Sequence, residues 1–386
     1  MKLNEKLSLN VLLLGVVSFL NDLSSEMIAP ILPMFIASLG GAGIATGLIG
    51  GLRDSITSLL KVVSGYISDK TGKRIILVFS GYLTSSIFKM LLAFSRVWQH
   101  VLLFIGLERI GKGMRDAPRD AIIALSMPKQ KGRAFGIHRA FDATGAVVGS
   151  LLALLFFYFL KFDYKTIIVL SSLVAFTSLF PIKFVKEKKK KENDIQLRAT
   201  LNGLSKKLKL FLSIAGVFAI SKFSYMFFVL RAQQLFATEY TIAMPILLYV
   251  LFNVFYAGSS APFGALSDRI GRRKVVLMGY LLFAITALGF AVLTSLYAYI
   301  ILFSLYGIMN GIIDGNQRAF VSDLSSHEIQ GTSLGAYHTT IGLATLPASI
   351  IAGALWQIAP EVTFFYGAAV STLAAVLLLA TWKKYD

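Results

Sequence analysis

Long apolar stretches separated by short polar segments dominate the chain. Twelve of these stretches reach or exceed the about 20 residues with which an α-helix crosses about 30 Å of hydrocarbon. They run over residues 9–38, 43–67, 74–95, 99–126, 134–160, 164–185, 208–236, 241–266, 274–295, 298–324, 332–357 and 361–383. The pattern therefore predicts an all-α membrane protein with twelve transmembrane helices.

Composition and charge agree with a membrane location. Of the 386 residues, 56% are hydrophobic, and the mean hydropathy is +0.70. The net charge of +18 would suit nucleic acid in a soluble protein. Here most of the Lys and Arg residues lie near the two termini and in alternate connections, at 70–74, 129–133, 183–209 and 269–274. By the positive-inside rule we expect both termini in the cytoplasm, a plasma-membrane location, and the lipid bilayer rather than nucleic acid as partner.

Several classes of site are not indicated by the sequence. The chain has no cysteine, so it offers neither disulfides nor thiolate ligands. Its four histidines lack metal-ligand spacing, and we expect no metal and no cofactor. The first apolar stretch is too long for the apolar region of a signal peptide, so we expect it to remain as a span. Without a nucleophile–base pair or a phosphate-binding loop, the chain is not expected to be an enzyme.

A ten-residue segment occurs twice. Residues 65–74 read GYISDKTGKR, and residues 264–273 read GALSDRIGRR. Each copy joins two spans at the same place in its half of the chain. Because the halves share span order and orientation, they are predicted to be parallel repeats related by an axis along the membrane normal.

The longest polar segment separates the two halves. It extends from Lys183 to Lys209 and contains four consecutive lysines at 188–191. We interpret it as a cytoplasmic linker, with a binding tail for anionic lipid as the alternative. The predicted organisation is a first six-helix bundle over 1–185, a basic linker over 186–207 and a second six-helix bundle over 208–386.

The duplicated segment resembles the signature of the major facilitator superfamily. The resemblance covers essentially the whole chain and implies two pseudo-symmetric six-helix bundles that transport by alternating access. It also implies a cytoplasmic gate in which Asp69 meets the start of span 11 and Asp268 meets the start of span 5. Fixing the topology is the alternative role of these loops. The implied gate residues are Gly65, Asp69, Gly72, Arg74, Gly264, Asp268, Gly271 and Arg273.

Two further segments are similar to patterns of that family. Span 4 reads RIGKGMR from Arg109, and the resemblance associates Arg109 with proton transfer or substrate contact. Span 5 reads GAVVG from Gly145, with Ala146 where the antiporter element of the family has proline. The remaining Gly-x-x-x-Gly allows two helices to approach closely.

Charged residues inside the spans are the candidates for chemistry, because each charge costs about 2.5–3.5 kcal/mol at the bilayer centre. Asp22 and Glu26 are four residues apart and share one helical face. Two carboxylates so close in a low dielectric do not both ionise easily, which suits proton coupling. Alternatively, they pair with Arg53, Lys89 or a base of span 4 and only stabilise the bundle.

Spans 4 and 5 and the second half supply the other candidates. Glu108 precedes Lys112 in the favourable order for an i, i+4 ion pair. Aromatic residues of spans 7 and 8 could form one wall of a cavity, although packing is the alternative. The candidate pathway residues are Asp22, Glu26, Arg53, Asp54, Lys89, Glu108, Arg109, Lys112, Arg139, Asp142 and Asp314.

Together these features predict a monomeric secondary transporter with a small-molecule substrate. The favoured function is proton-coupled antiport that exports a small organic or amphipathic molecule. One alternative is proton-coupled symport of an organic anion, with Arg53, Arg109 and Lys112 as the anion clamp. A second alternative is a receptor or lipid-handling scaffold that keeps the fold without transport.

Overall fold

Helices account for the regular structure throughout the described part of the chain. The computed structural model describes residues 8–41, 43–127, 131–187, 204–235, 243–325 and 330–381, with side chains except at 69, 131–133 and 330–332. The helices are α1 (Leu9–Ile28), α2 (Leu32–Ser38), α3 (Gly43–Thr71), α4 (Arg74–Leu92), α5 (Trp98–Ser126), α6 (Lys131–Leu154), α7 (Tyr164–Thr177), α8 (Leu179–Ile182), α9 (Lys206–Ser221), α10 (Met226–Leu235), α11 (Ala243–Ile270), α12 (Arg272–Val292), α13 (Leu296–Asp323), α14 (Gln330–Ile358) and α15 (Pro360–Ala380). A π-helical turn, Leu155–Phe159, follows α6 directly.

Every predicted span contains one or more of these helices. Among the described residues, ten helical stretches are long and apolar enough to cross a membrane. The helices α3 and α5 are not among the ten, although each is 29 residues long. In α5 the reason is its charge, since Glu108, Arg109, Lys112, Arg115 and Asp116 follow one another closely. The predicted all-α membrane fold is confirmed.

Three predicted spans are divided among the described residues, the one over 164–185 at Ser178 alone and the other two over several residues. Between α1 and α2 the break contains Pro30, which lacks the N–H that a continuing helix needs. Between α9 and α10 the break, residues 222–225, contains neither Pro nor Gly. There the backbone N–H of Ser224 donates to the Ser349 hydroxyl at 3.2 Å, and the Tyr366 hydroxyl donates to the Ile220 carbonyl at 2.9 Å. These side chains satisfy backbone groups that the break releases inside the membrane.

Contacts within the chain divide it into two compact units. Unit one comprises Met1–Ala29, Leu60–Ser95 and Leu103–Ile195, and unit two comprises Pro30–Leu59, Arg96–Leu102 and Gln196–Asp386. The division by contacts therefore passes through α3 and α5. The predicted linker over 186–207 lies largely outside the described residues, so the predicted domain boundaries stay a prediction.

The core of unit one is aliphatic and includes a close helix contact. Val11, Val78 and Ile123 are buried in one apolar cluster. A Cβ atom on Gly145 would lie 2.5 Å from the Phe19 carbonyl oxygen, so α1 and α6 approach within backbone contact. This confirms the close approach expected from Gly-x-x-x-Gly.

The core of unit two is aromatic. Phe228 stacks on Tyr306 with ring centroids 4.1 Å apart, and it meets Phe290 edge-on at 5.0 Å. Phe223 and Phe227, which the sequence offered as cavity wall, are equally buried. For these phenylalanines, packing is the correct interpretation.

Outside the spans, Asp163 caps the start of α7. Its side chain accepts from the Thr166 backbone N–H at 3.1 Å. Hydrogen bonds from Thr166 stabilise the ionised carboxylate and hold the pKa of Asp163 below its usual range.

Candidate functional site

A chain of polar contacts runs through unit one from α6 to α5. The Asp142 carboxylate lies 3.4 Å from His138 Nδ1, and His138 Nε2 lies 2.8 Å from the Ser18 hydroxyl. The Arg119 guanidinium donates to the same hydroxyl at 3.1 Å. Four side chains from α1, α5 and α6 are thus connected without a gap wider than 3.4 Å.

The chain continues to Asp116, which is surrounded by bases. Arg119 Nη1 lies 3.8 Å from the Asp116 carboxylate, and Lys61 Nζ from α3 lies 3.0 Å from it. Arg115 approaches the same carboxylate at 4.0 Å and lies over the Tyr82 ring at 4.0 Å from its centroid. Three cationic side chains therefore offset one buried acid.

Asp22 lies where the acids of α1 and α6 meet. The charges that act on its carboxylate are those of Asp142, Lys112, Glu26 and Arg119. Asp142 and Glu26 repel the charged form of Asp22, whereas Lys112 and Arg119 attract it, so these acids and bases act on one another as one electrostatic group. Ionising several acids in so small a volume is unfavourable, which allows one of them to hold a proton.

The buried acid of α5 has a different partner from the expected one. Glu108 pairs with Arg109, with Oε2 and Nε 2.7 Å apart, and both side chains are buried. The expected pair with Lys112 is not formed, and no carboxylate of the described residues lies within 4.0 Å of Lys112. The Arg109 Nε and the Glu108 carboxylate make no hydrogen bond with each other, so this contact is an ion pair by proximity.

Lys89 on α4 is held by uncharged oxygens. Its Nζ donates to the Ser25 hydroxyl at 2.9 Å, the Ser24 hydroxyl at 3.1 Å and the Asn21 carbonyl at 3.5 Å. These are neighbours of Asp22 and Glu26 along α1, but the ammonium does not contact either carboxylate. The contacts of Lys89 therefore do not show it paired with Asp22 or Glu26, as the alternative for span 1 requires.

Unit two has its own polar site beside the break between α9 and α10. The Asp314 carboxylate accepts from the Tyr256 hydroxyl at 2.5 Å and lies 3.6 Å from Lys222 Nζ. The Arg53 guanidinium donates to the Tyr225 hydroxyl at 2.6 Å. Lys222 and Tyr225 both belong to the break, so the irregular backbone positions them.

A row of aromatic rings joins these two polar contacts. Ring centroids are 5.3 Å apart for Tyr225 and Tyr249, 5.4 Å for Tyr249 and Phe252, and 6.0 Å for Phe252 and Tyr256. We call these four residues the aromatic row. Charged groups lie at both ends of the row, and its two middle rings, Tyr249 and Phe252, are buried.

The remaining candidates are divided between the units. Arg53 belongs to unit two, whereas Arg109 and Lys112 belong to unit one. Asp54 is exposed in unit two, and its charge acts on Tyr306 together with that of Asp314. In unit one, Arg139 is exposed and acts on Asp142.

The two motif copies share one backbone feature. Gly72 and Gly271 adopt φ of +66° and +99°, a conformation that favours glycine and lets the chain turn between helices. Gly65 lies against α5, where an added Cβ would meet Ala117 at 3.4 Å, whereas Gly264 has open space beside it. These conformations explain the repeated glycine before each basic pair.

The charged residues of the copies have different partners. Asp268 pairs with Arg272 at 2.5 Å, and Arg272 also lies 3.4 Å from Asp323. Arg74 is buried, and its guanidinium lies 3.7 Å from the Glu187 carboxylate. The same carboxylate accepts a hydrogen bond from the backbone N–H of Arg74. The side chain of Asp69 lies outside the described residues.

Sequence reasoning left several partners out of the candidate set. His138 could have been found from its i, i+4 relation to Asp142 on one helix. Lys61 and Tyr225 carry no such signal, because each meets its partner only after distant segments pack. The omitted residues are Ser18, Lys61, Arg115, Asp116, Arg119, His138, Lys222, Tyr225 and Tyr256.

Sequence comparisons identify relatives over the whole chain. The family model of the Major Facilitator Superfamily matches residues 14–247 and 211–385. An uncharacterized MFS-type transporter of Methanocaldococcus jannaschii is 51% identical over 380 residues, which is 97% of this chain and 96% of the relative. The multidrug resistance protein MdtH of Aeromonas hydrophila is 24% identical over 327 residues, or 83% of this chain and 81% of that protein.

Solved structures with the same fold include two kinds of transporter. A crystal structure of the nucleoside transporter NupG (D323A mutant) has a TM-score of 0.83 at 13% identity, covering 97% of this chain and 100% of that one. The POT family transporter PepTSo has a TM-score of 0.82 at 11% identity, covering 99% of both chains. At these identities the likeness shows the fold alone.

Proposed function

The chain belongs to the major facilitator superfamily and is a transporter rather than an enzyme, and from that premise we propose that it is a proton-coupled antiporter. It exports a small organic or amphipathic molecule by alternating access. The observation that carries the proposal is the group formed by Asp22, Glu26 and Asp142 in unit one. Because these acids repel one another, proton uptake by one of them is favourable when the local bases are occupied elsewhere.

Proton uptake would alter the polar chain of unit one. Asp142 contacts His138, which reaches Arg119 through Ser18. A proton on Asp142 would weaken its attraction for His138 and Arg119, and Arg119 would then be held by its two acids on α5, Asp120 at 3.0 Å and Asp116 at 3.8 Å. The site thus converts a protonation event into a change of partners between α6 and α5.

Two observations support export of an amphipathic molecule. The aromatic row ends at the Lys222–Asp314 pair on one side and at Arg53 on the other. Flat rings beside charged groups suit molecules that have both apolar and charged parts. The MdtH relatives are multidrug resistance proteins, which favours efflux for this chain as well. We propose a monomer in the plasma membrane with both termini in the cytoplasm.

Transport into proteoliposomes tests the proposal. With ethidium as an amphipathic probe, an acidic vesicle interior is expected to drive dye uptake, because outward proton flow is exchanged for inward dye flow. Asp22→Asn and Asp142→Asn are expected to remove this drive but to retain exchange of labelled for unlabelled dye. The matched control is Glu361→Gln, which breaks the ion pair with Arg231 in unit two. Equal drive in all variants would refute the role of the acids.

Symport of an organic anion is the second candidate. It is favoured by Lys112, which lies near Arg109 and has no carboxylate of the described residues within 4.0 Å. In that case an acidic exterior, not an acidic interior, would drive uptake of labelled benzoate. Loss of benzoate uptake in Lys112→Met with unchanged ethidium transport would support this second function.

A further inference from the structure

Lys89 is a buried amine whose surroundings do not match a permanent ammonium. Its side chain is 4% exposed, and its three hydrogen-bond partners are all uncharged oxygens of α1. No carboxylate of the described residues lies within 4.0 Å of its Nζ. A buried charge is normally stabilised by a direct partner of opposite sign, and Lys89 lacks one.

The more distant charges act on Lys89 in both directions. The groups that act on Lys89 are Glu108, Arg115, Arg109 and Lys112, all on α5. One is an acid, which is already paired with Arg109 at 2.7 Å, and the other three are bases. Against this, the carbonyl end of α4 lies close to Lys89 and favours the charged form slightly. From α7, the contribution is the uncharged hydroxyl of Ser171.

The oxygens around Lys89 can serve either protonation state. A serine hydroxyl accepts a hydrogen bond from an ammonium, and after rotation it donates to the lone pair of a neutral amine. Ser24 can make this change because its hydroxyl lies 3.0 Å from that of Ser171, and either can be the donor. Ser171 also donates to the Ser24 carbonyl at 2.7 Å in the arrangement observed. A carboxylate in their place would have fixed the charged state.

We propose that Lys89 is a second proton-binding site, which takes up a proton on its neutral amine and releases it again during transport. This inference rests on the proposed proton coupling and extends it from the acids of α1 and α6 to an amine of α4. The two sites adjoin, since Lys89 contacts the Asn21 carbonyl and the Asn21 amide donates to Asp22 at 3.4 Å. A proton at either site therefore changes the field at the other.

Nuclear magnetic resonance tests the amine directly, independently of transport. The wild-type protein in detergent is labelled with 13C at lysine Cε, and the Lys89 signal is identified by its loss in Lys89→Arg. Between about pH 5.5 and 8.5 the Lys89 signal is expected to move, because this range lies well below the pKa near 10.4 of an ordinary lysine. A Lys89 signal that stays constant across this range, whether charged or neutral, overturns the proposal.

Proton counting then tests the link to transport. In proteoliposomes, Lys89→Met and Lys89→Arg are expected to move fewer protons per ethidium than the wild type, while Lys165→Met keeps the wild-type ratio. An unchanged ratio in both Lys89 variants contradicts a role in coupling. If the wild type itself moves no protons with ethidium, the proposed antiport fails, and the resonance titration still decides whether Lys89 exchanges a proton.

Discussion

The Glu108–Arg109 pair shows how single residues of unit one depend on one another. Both side chains are buried, and their charged atoms are 2.7 Å apart. Removing one partner of such a pair leaves an uncompensated charge in a low dielectric. Replacing both partners removes the buried charges together with their attraction for each other. Stability at this point is therefore a property of the pair.

A double-mutant cycle on this pair is the prediction at the residue scale. Arg109→Met and Glu108→Gln are each expected to lower the free energy of unfolding in detergent by about 3 kcal/mol. The double variant is expected to recover most of that loss. If it is instead as unstable as the sum of the single variants, the two charges do not stabilise each other.

Residue identities could be predicted from the sequence better than residue partners. Asp22 and Glu26 were predicted to share a face, and the structure places both in one electrostatic group with Asp142. The predicted partner of Glu108, Lys112, was wrong. Helical spacing alone does not show whether the adjacent Arg109 or the lysine one turn away will pair with the acid. The partner of Arg53 was beyond reach, because Tyr225 is 172 residues away in sequence.

Among the helices, α1 and α6 pack closely because two glycines at their contact, Gly145 and Gly149, have no side chain. At Gly149 an added Cβ would collide with the Leu23 carbonyl oxygen, and at Gly145 it would lie 2.5 Å from that of Phe19. Backbone cannot move aside as a flexible side chain can. Any larger residue at these positions must separate the two helices.

Gly149→Leu is the prediction at the element scale. The variant is expected to lose about 1–3 kcal/mol of unfolding free energy, the usual cost of overpacking. Gly136→Leu is the matched control, since it lies on the same helix and an added Cβ there would meet nothing within 4 Å. Thermal unfolding of both variants in detergent measures the difference. Equal stability of the two variants would contradict the close contact.

The positions of the helices could be predicted from hydropathy, but only some of the breaks within spans could. Pro30 marks the interruption between α1 and α2, whereas the interruption at residues 222–225 has no such residue. It depends on Ser349 and Tyr366, which satisfy the released backbone groups from other helices. Such tertiary hydrogen bonds leave no periodic signal in the sequence.

For the whole molecule, the two units carry different chemistry. Unit one holds the acids and bases that we assign to proton coupling, and unit two holds the aromatic row that we assign to the cargo. The duplicated motif and the twelve-span pattern were sufficient to predict the fold, because both extend over the chain. The division into units was not predictable, because it passes through two continuous helices, α3 and α5.

This separation predicts different phenotypes for the two units. Tyr249→Ala and Phe252→Ala are expected to raise the KM for ethidium several-fold, because each removes a stacking surface, and to leave the dependence on the pH gradient unchanged. Asp22→Asn is expected to do the reverse. Initial rates in proteoliposomes measure both quantities. If an aromatic substitution alters the pH dependence as strongly as Asp22→Asn does, the assignment of cargo and coupling to different units is wrong.

The most direct test of proton-coupled antiport is proton movement caused by the cargo. Proteoliposomes without an imposed gradient contain wild-type protein and an enclosed pH-sensitive dye, and ethidium is added outside. Antiport predicts that ethidium entry makes the interior more alkaline, because each entering molecule is exchanged for protons. Ethidium entry that leaves the interior pH unchanged, or acidifies it, would contradict the account.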